Sequence, residues 1–264
     1  MIITSKQNPK IKALGNLRRK RDREAAGQTL VDGYEELSCA LDAGVPIDTL
    51  YYCPELMGGQ DQHDTLKRMI DSGVGAFELT RDVFEKVAYR EGPDGWLAVV
   101  PAPKVGLEHL VLKENPLILL FEAVEKPGNI GAMLRTADAA GVDAVISVSS
   151  ITDWGNPNII RASKGALFAV PVAEGNPEEV LTWLKAHSIA VVASTPDTTM
   201  PYTEPDLTKG VAVTVGSEKY GHTDYWLQHA DQKVRIPMAG KVNSLNVATS
   251  AALLMYEAVR QRSI

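Results

Sequence analysis

The second half of the chain carries five short, predominantly apolar runs, at residues 117–121, 144–148, 190–194, 211–215 and 234–236, with helical patterns between them at 129–140, 156–164, 177–186 and 223–229. Strands that are apolar along their whole length, rather than at alternate positions, are covered on both faces, and strands alternating with helices are joined by parallel crossovers. The second half is therefore constrained to an α/β layer structure around a buried, mostly parallel sheet. The first half alternates as well, with strands expected at 29–31, 49–52, 76–79 and 96–100 and helices at 34–43, 64–70 and 82–88. Pro101-Ala-Pro-Lys104 interrupts regular structure, and a linker is placed from there to about residue 115. Two α/β domains, 1–103 and 114–264, suit a chain of 264 residues.

A last helix is expected over 244–262, with Leu245, Ala248, Ala251, Leu254, Met255 and Val259 spread around more than one face. Such a helix needs two burial surfaces, and a subunit interface would supply the second. Hydrophobic residues at 45% and charged residues at 23% describe a globular chain. Its apolar runs fall far short of the roughly 20 residues that cross a bilayer, and the N-terminus lacks the apolar core of a secretory signal, so a cytoplasmic location is expected. Cys39 and Cys53 form no paired pattern and read as reduced thiols, and His63, His109, His187, His222 and His229 are scattered, so no metal site is expected.

The net charge of −6 is unevenly spread. Residues 1–24 hold Lys6, Lys10, Lys12, Arg18, Arg19, Lys20, Arg21 and Arg23 against Asp22 and Glu24, a local +6 that leaves −12 on the other 240 residues. A basic arm on an acidic body suits phosphate contact, and a solvated helix face explains it equally well. Gly73-Val-Gly75 precedes a strand instead of following one and reads as a turn, and no phosphate-binding loop follows any strand.

Three clusters concentrate residues that can do chemistry. Lys126-Pro-Gly-Asn-Ile-Gly-Ala-Met-Leu-Arg135 lies where the first strand of the second half enters its helix; Asn129 is a natural N-cap, the first helical turn offers amides to an anion, and the planar fork of Arg135 suits a phosphate. Gly216-Ser-Glu-Lys-Tyr-Gly221 follows an apolar strand, at the end where open α/β sheets hold ligands, and adds the carboxylate of Glu218. Ile236-Pro-Met-Ala-Gly240 is an extended loop, followed by Ser244 and Asn246 opening the last helix. Taken singly, each cluster is also what an ordinary helix cap or strand-to-helix turn provides.

In this order and spacing, N-x-x-x-x-x-R, G-x-E-x-x-G and I-P-M with S-L-N-V closely resemble the three motifs of the SpoU/TrmH family of RNA ribose 2'-O-methyltransferases, over about 117–262. The opening Ile3-Thr-Ser-Lys-Gln-Asn-Pro-Lys-Ile-Lys12 and the turn Leu30-Val-Asp-Gly33 resemble the substrate-binding domain of many members, with Asp32 in place of the more common Glu. Glu125-Lys126-Pro127 departs from the frequent Asp-Pro pair and is similar to the thiostrepton-resistance branch.

The resemblance implies a C-terminal trefoil-knotted, mostly parallel-sheet methyltransferase domain and a smaller N-terminal ribosomal-protein-like α/β domain that binds RNA. It implies S-adenosyl-L-methionine as cofactor, held bent in the knotted loops, a homodimer through the terminal helix, and an RNA substrate, ribosomal first and transfer RNA as the alternative. Arg135 becomes the catalytic residue, with Asn129, Glu218, Ser244 and Asn246 orienting it and the ribose. Gly216, Ile236 and Leu245 would contact the cofactor mainly through backbone, with Thr195, Ser217, Gly221, Pro237, Met238 and Asn246 completing that set. Arginine stays protonated, so Arg135 is expected to grip the adjacent phosphate and stabilise the emerging alkoxide instead of acting as a free base. The rival is a non-catalytic RNA-binding protein with the same fold, which could lose Arg135 without losing its shape.

Overall fold

The computed structural model describes residues 2–263, so Met1 and Ile264, the outer bounds of the two expected domains, lie outside the described residues. The chain forms two compact units. The first runs to Pro103 and also takes in Asp153–Ala169; the second comprises Lys104–Thr152 and the chain from Val170 onward. The expected second domain, an unbroken 114–264, thus gives one excursion to the first unit.

In the first unit, β1 (Ile2–Ile3), α1 (Pro9–Asn16), α2 (Lys20–Ala26), β2 (Gln28–Asp32), α3 (Tyr34–Asp42), β3 (Thr49–Tyr52), α4 (Gly59–Asp71), β4 (Ala76–Leu79), α5 (Arg81–Val87) and β5 (Trp96–Pro101) follow in order. Their sheet runs β1-β4-β3-β5-β2, with β5 antiparallel to both neighbours and the other pairs parallel. Ile3, Ile11, Leu14, Leu30, Phe84 and Leu97 are among its core.

The basic segment is not a free arm. Asn8 caps α1 by accepting the amide of Lys10 at 2.9 Å, with Pro9 pre-set at the first helical position, and Ile11 and Leu14 bury the inner face. The cations are largely engaged. Arg18 donates to the carbonyls of Val87 and Ala88 at 3.1 and 2.8 Å and lies over the Tyr89 ring. Arg19 meets Asp22 at 2.8 Å and Lys20 meets Glu24 at 3.7 Å. Arg23 is only 3% exposed and forms a two-pronged pair with Asp153, at 3.1 and 2.6 Å, while Nη1 donates to the carbonyls of Leu17 and Arg18.

That pair anchors the excursion. Within it, α7 (Pro157–Ala162), capped by Asn156, packs on β2; Thr29 donates its hydroxyl to the carbonyl of Gly155, and Lys164 pairs with Glu35 at 2.6 Å. Asp32 also works inside this unit: it accepts the amides of Tyr89 and Arg90 at 2.5 and 3.3 Å, and burial pushes its carboxyl above the usual aspartate range.

In the second unit, β6 (Leu117–Glu122), α6 (Pro127–Ala140), β7 (Ala144–Val148), β8 (Val172–Gly175), α8 (Pro177–Ala186), β9 (Ala190–Ser194), β10 (Val211–Val215), α9 (Asp224–His229), β11 (Gln232–Val234) and α10 (Val247–Arg262) build a sheet of order β11-β9-β10-β6-β7-β8. Every neighbouring pair is parallel. Ile118, Leu120, Ile146 and Ala212 meet α8 and Trp226 of α9 on one face. The alternating Leu117, Leu119 and Phe121, equally buried, point to the other face, and α10 packs across α6, β6 and β10.

Four expectations need correction. Strand β8, Val-Ala-Glu-Gly, is too short and polar to show as an apolar run. β11 ends at Val234 because Arg235 turns away to pair with residues 200–202. α6 begins at Pro127, so Lys126 and not Asn129 occupies the cap. α10 begins at Val247 with Asn246 as its cap, which leaves Ser244 in the loop. Among the described residues, no helix is long and apolar enough to cross a membrane.

Asp153→Ala should leave Arg23 buried with no countercharge and destabilise the first unit by about 3–5 kcal/mol, the usual cost of breaking a buried pair from one side. Chemical denaturation followed by circular dichroism reads this. A loss within about 0.5 kcal/mol, the scale of ordinary surface changes, would mean that the pair does not anchor the excursion.

Candidate active site

The strands β11, β9 and β10 are neighbours, so the residues that leave their carboxyl ends share one rim. Ile236, Thr195 and Gly216 stand within two residues of those three ends. Thr195 is buried; its amide donates to the carbonyl of Val234 at 2.8 Å and its hydroxyl accepts the amide of Asp197 at 3.2 Å. Residues 236–245 then run without a single backbone–backbone hydrogen bond among the described residues. That stretch leaves its N–H and C=O groups unpaired with other backbone, with Ile236 and Met238 half-buried and Pro237 and Leu245 exposed beside them.

The loop after β10 is tightly made. Ser217 and Gly221 exchange backbone hydrogen bonds at 2.9 and 3.0 Å, and the Ser217 hydroxyl accepts the amide of Tyr220 at 3.2 Å, so this side chain is spent on its own turn. Gly221 holds φ +68°, the left-handed region that favours glycine. A Cβ on Gly216 would run into the backbone of Gly221 and His222. The turn folding back onto Gly216 is by itself enough to require glycine there.

The turn brings Glu218 to α6. The amide nitrogen of Asn129 donates to Glu218 Oε1 at 2.6 Å, and that of Asn246 donates to Asn129 Oδ1 at 3.1 Å. Asn246 Oδ1 is already committed to the amide of Ala248, at 2.9 Å, as the cap of α10. The orientation of all three groups follows from that one bond, because each amide has one acceptor end and one donor end. The second carboxylate oxygen of Glu218 has no partner in this relay, so an acceptor remains at an exposed edge.

Beneath the loop lies a buried network absent from the sequence expectations. Glu122, at the end of β6, accepts the Thr223 amide at 2.9 Å and the Thr223 hydroxyl at 2.7 Å. The fully buried ring of His222 is held between Thr214 Oγ1, 3.2 Å from Nε2, and Glu122 Oε2, 3.5 Å from Nδ1. Burial pushes Glu122 up, but the neighbouring His222 and both groups of Thr223 outweigh it and hold the carboxyl below the usual glutamate range. The available signal was a lone acid ending the apolar run Leu-Ile-Leu-Leu-Phe-Glu.

Among the expected site residues, Asn129, Glu218 and Asn246 come together. Ser244 is exposed and makes no hydrogen bond to them among the described residues. Arg135 is exposed on α6; six residues beyond Asn129, it leaves the helix about 120° around the axis. Within one chain it is outside the relay. Among the described residues, no group of three or more His, Cys, Asp or Glu could hold a metal ion.

A parallel α/β sheet with unpaired backbone beyond adjoining strand ends, and an Asn–Asn–Glu relay beside it, is the arrangement in which open α/β sheets hold ligands. The sequence pattern of the SpoU rRNA Methylase family matches residues 116–256, and that of the MRM3-like substrate binding domain matches residues 8–98. The chain belongs to the SpoU family of RNA methyltransferases. It is similar to a 23S rRNA (uridine(2479)-2'-O)-methyltransferase of Streptomyces viridochromogenes, 34% identical over 94% of this chain and 87% of that one. It is also similar to a 23S rRNA (guanosine(2553)-2'-O)-methyltransferase of Bacillus subtilis, 31% identical over 96% of this chain and 97% of that one. The crystal structure of an AdoMet-bound rRNA methyltransferase from Sinorhizobium meliloti superposes with a TM-score of 0.90 at 28% identity, covering 98% and 97% of the two chains.

The network under the loop sets a pH dependence. A carboxyl held below its unfolded value contributes stability that is complete above that value, about 4.3 for glutamate, and is lost as pH falls through the folded value. Glu122→Gln should therefore be less stable than the parent at neutral pH, with the gap closing below about pH 4. Denaturation at stepped pH checks this, and a gap that stays constant into acid would contradict it.

Proposed function

We propose that this chain binds S-adenosyl-L-methionine at the rim formed by Thr195, Gly216 and Ile236 and transfers its methyl group to a ribose 2'-hydroxyl of RNA. The observation that carries the reading is the Asn246–Asn129–Glu218 relay beside that rim. Family membership supports it, as do the 23S rRNA methyltransferases among the relatives and the AdoMet-bound neighbour. Ribosomal RNA is the substrate class these relatives favour, and a cytoplasmic location goes with it.

The residues present fit the cofactor, since the free backbone of residues 236–245 can satisfy the edge of an adenine and Leu245 and Met238 its faces. When bound, S-adenosyl-L-methionine supplies an electrophilic methyl on a sulfonium. The chain's part is to hold the ribose oxygen in line with it. Asn129 fixes Glu218, whose free oxygen can accept a hydrogen bond from the ribose, and Arg135 grips the adjacent phosphate and stabilises the alkoxide as the hydroxyl proton passes to that phosphate.

A trefoil knot and a homodimer belong to the same proposal. Residues 195–210 would form the threaded loop: its turn at 200–202 pairs with Arg235, and its far end is bound to α10, where Gln261 donates to Pro205 O at 3.0 Å and Arg262 donates to Leu207 O and Lys209 O at 2.8 and 2.7 Å. A second copy packed on α10 would cover the exposed Tyr256 and offer its own Arg135 to a relay that lacks one.

Calorimetry with the purified chain should show S-adenosyl-L-methionine or its demethylated product binding at one site per chain; no binding to folded protein would sink the reading. Arg135→Ala should lower turnover about 10²- to 10³-fold, as loss of one charge-stabilising donor does, while cofactor affinity holds. Arg135→Lys should not restore full activity, because an ammonium lacks the bidentate fork. Near-parental methylation by Arg135→Ala would make Arg135 a surface residue.

A further inference from the structure

Tyr220 is 78% exposed, the most exposed aromatic side chain among the described residues. It is not on a floppy segment. Its amide is held by the Ser217 hydroxyl at 3.2 Å, the turn is closed by the two Ser217–Gly221 backbone bonds, and Gly216 at its base fits only without a side chain. The same turn sends Glu218 inward to Asn129 at 2.6 Å, so the ring stands two residues from the relay. Lys219 Nζ lies over the ring, 4.7 Å from its centroid.

Leaving so large an apolar face in water is unfavourable, and the surroundings indicate what covers it. The loops joined by the relay each carry an exposed lysine: Lys126 before α6, Lys219 in the turn and Lys241 before α10. Glu125 is the only exposed carboxylate adjoining those lysines in sequence that the relay leaves uncommitted, in a chain whose net charge is −6. A ring with one cation over it, on loops that each expose a lysine, matches a nucleic-acid strand, whose bases offer flat faces and whose phosphates offer charge.

Resting on the RNA methyltransferase reading above, we propose that Tyr220 is a base-stacking residue of the site: its ring takes an unstacked nucleobase of the RNA while Lys219 meets the adjoining phosphate. The substrate nucleotide is then presented from a single-stranded loop or bulge and not from within a duplex, since a base stacked between its duplex neighbours has no free face to offer.

The test is steady-state methylation of in vitro transcribed 23S rRNA by the full chain at saturating cofactor, with a parallel binding titration against poly(U). Tyr220→Ala should raise the KM for rRNA, and the Kd for poly(U), about 5- to 150-fold, the range spanned by loss of one base–aromatic stack, with the effect in KM rather than kcat. Tyr220→Phe should keep parental values, because it keeps the ring. Lys219→Ala should reduce the slope of log Kd against log salt by about 0.7, one phosphate contact on a single strand. Unchanged KM and Kd in Tyr220→Ala would overturn the inference. So would a loss of cofactor affinity or a change of oligomeric state in that variant, since the ring would then belong to the cofactor or to a second copy. A parent chain that binds poly(U) but methylates no RNA would count against the enzyme reading instead, and the titration would still decide the role of Tyr220.

Discussion

The side-chain oxygen of Asn246 accepts the amide of Ala248 and so starts α10, and the same amide group then has only its nitrogen left to offer. That nitrogen reaches Asn129, which must answer with its oxygen and therefore turns its own nitrogen to Glu218. A helix cap thereby sets the polarity of a relay that spans three separate parts of the chain. No member can flip without a donor facing a donor, and the relay therefore holds one state. Asn246→Asp would keep the cap and lose the donor, placing a second carboxylate where the relay needs a nitrogen; a helix-cap argument alone would call that change neutral.

The relay in turn depends on where the turn after β10 is held. Three features do this work: a glycine at 216 that lets the chain double back, a left-handed Gly221 that closes it, and Glu122 beneath, which ties the exit of the turn to the end of β6 through Thr223 and His222. Glu122 is charged and buried, a combination that costs several kcal/mol unless the charge is well bonded. Here both oxygens are occupied, and the desolvation is offset by groups that belong to the very loop needing a fixed position.

The parallel sheet was legible because β6, β7, β9 and β10 are apolar along most of their length, and the rim was legible because glycines and a carboxylate follow β10. The elements that escaped are those whose signal is weak in a single sequence. β8 is an edge strand of four residues ending in Glu-Gly, and α1 and α2 look like a charged tail until Ile11, Leu14 and Arg23 are seen to be buried. Asn129 was read as a cap because asparagine before a helical run usually is one, yet Pro127 had already opened the helix, which freed the side chain for the relay. The excursion Asp153–Ala169 could not be read at all, because membership in a core is decided by long-range partners such as Arg23, not by local pattern.

The same distinction decides how the basic segment can serve an RNA partner. Arg23 is buried against Asp153, and Arg18 is bonded to two carbonyls, so neither can be given up to a phosphate without loosening the first unit. Arg19, Lys20 and Arg21 also have carboxylate neighbours, but their pairs are solvent-exposed and each is worth at most about 1 kcal/mol. Exchanging Asp22 or Glu24 for a phosphate therefore costs little, and the exchange releases counterions from the RNA. Charge on this segment thus splits into two kinds by burial alone: one kind holds the fold, and the other stays available to the strand that the fold must receive.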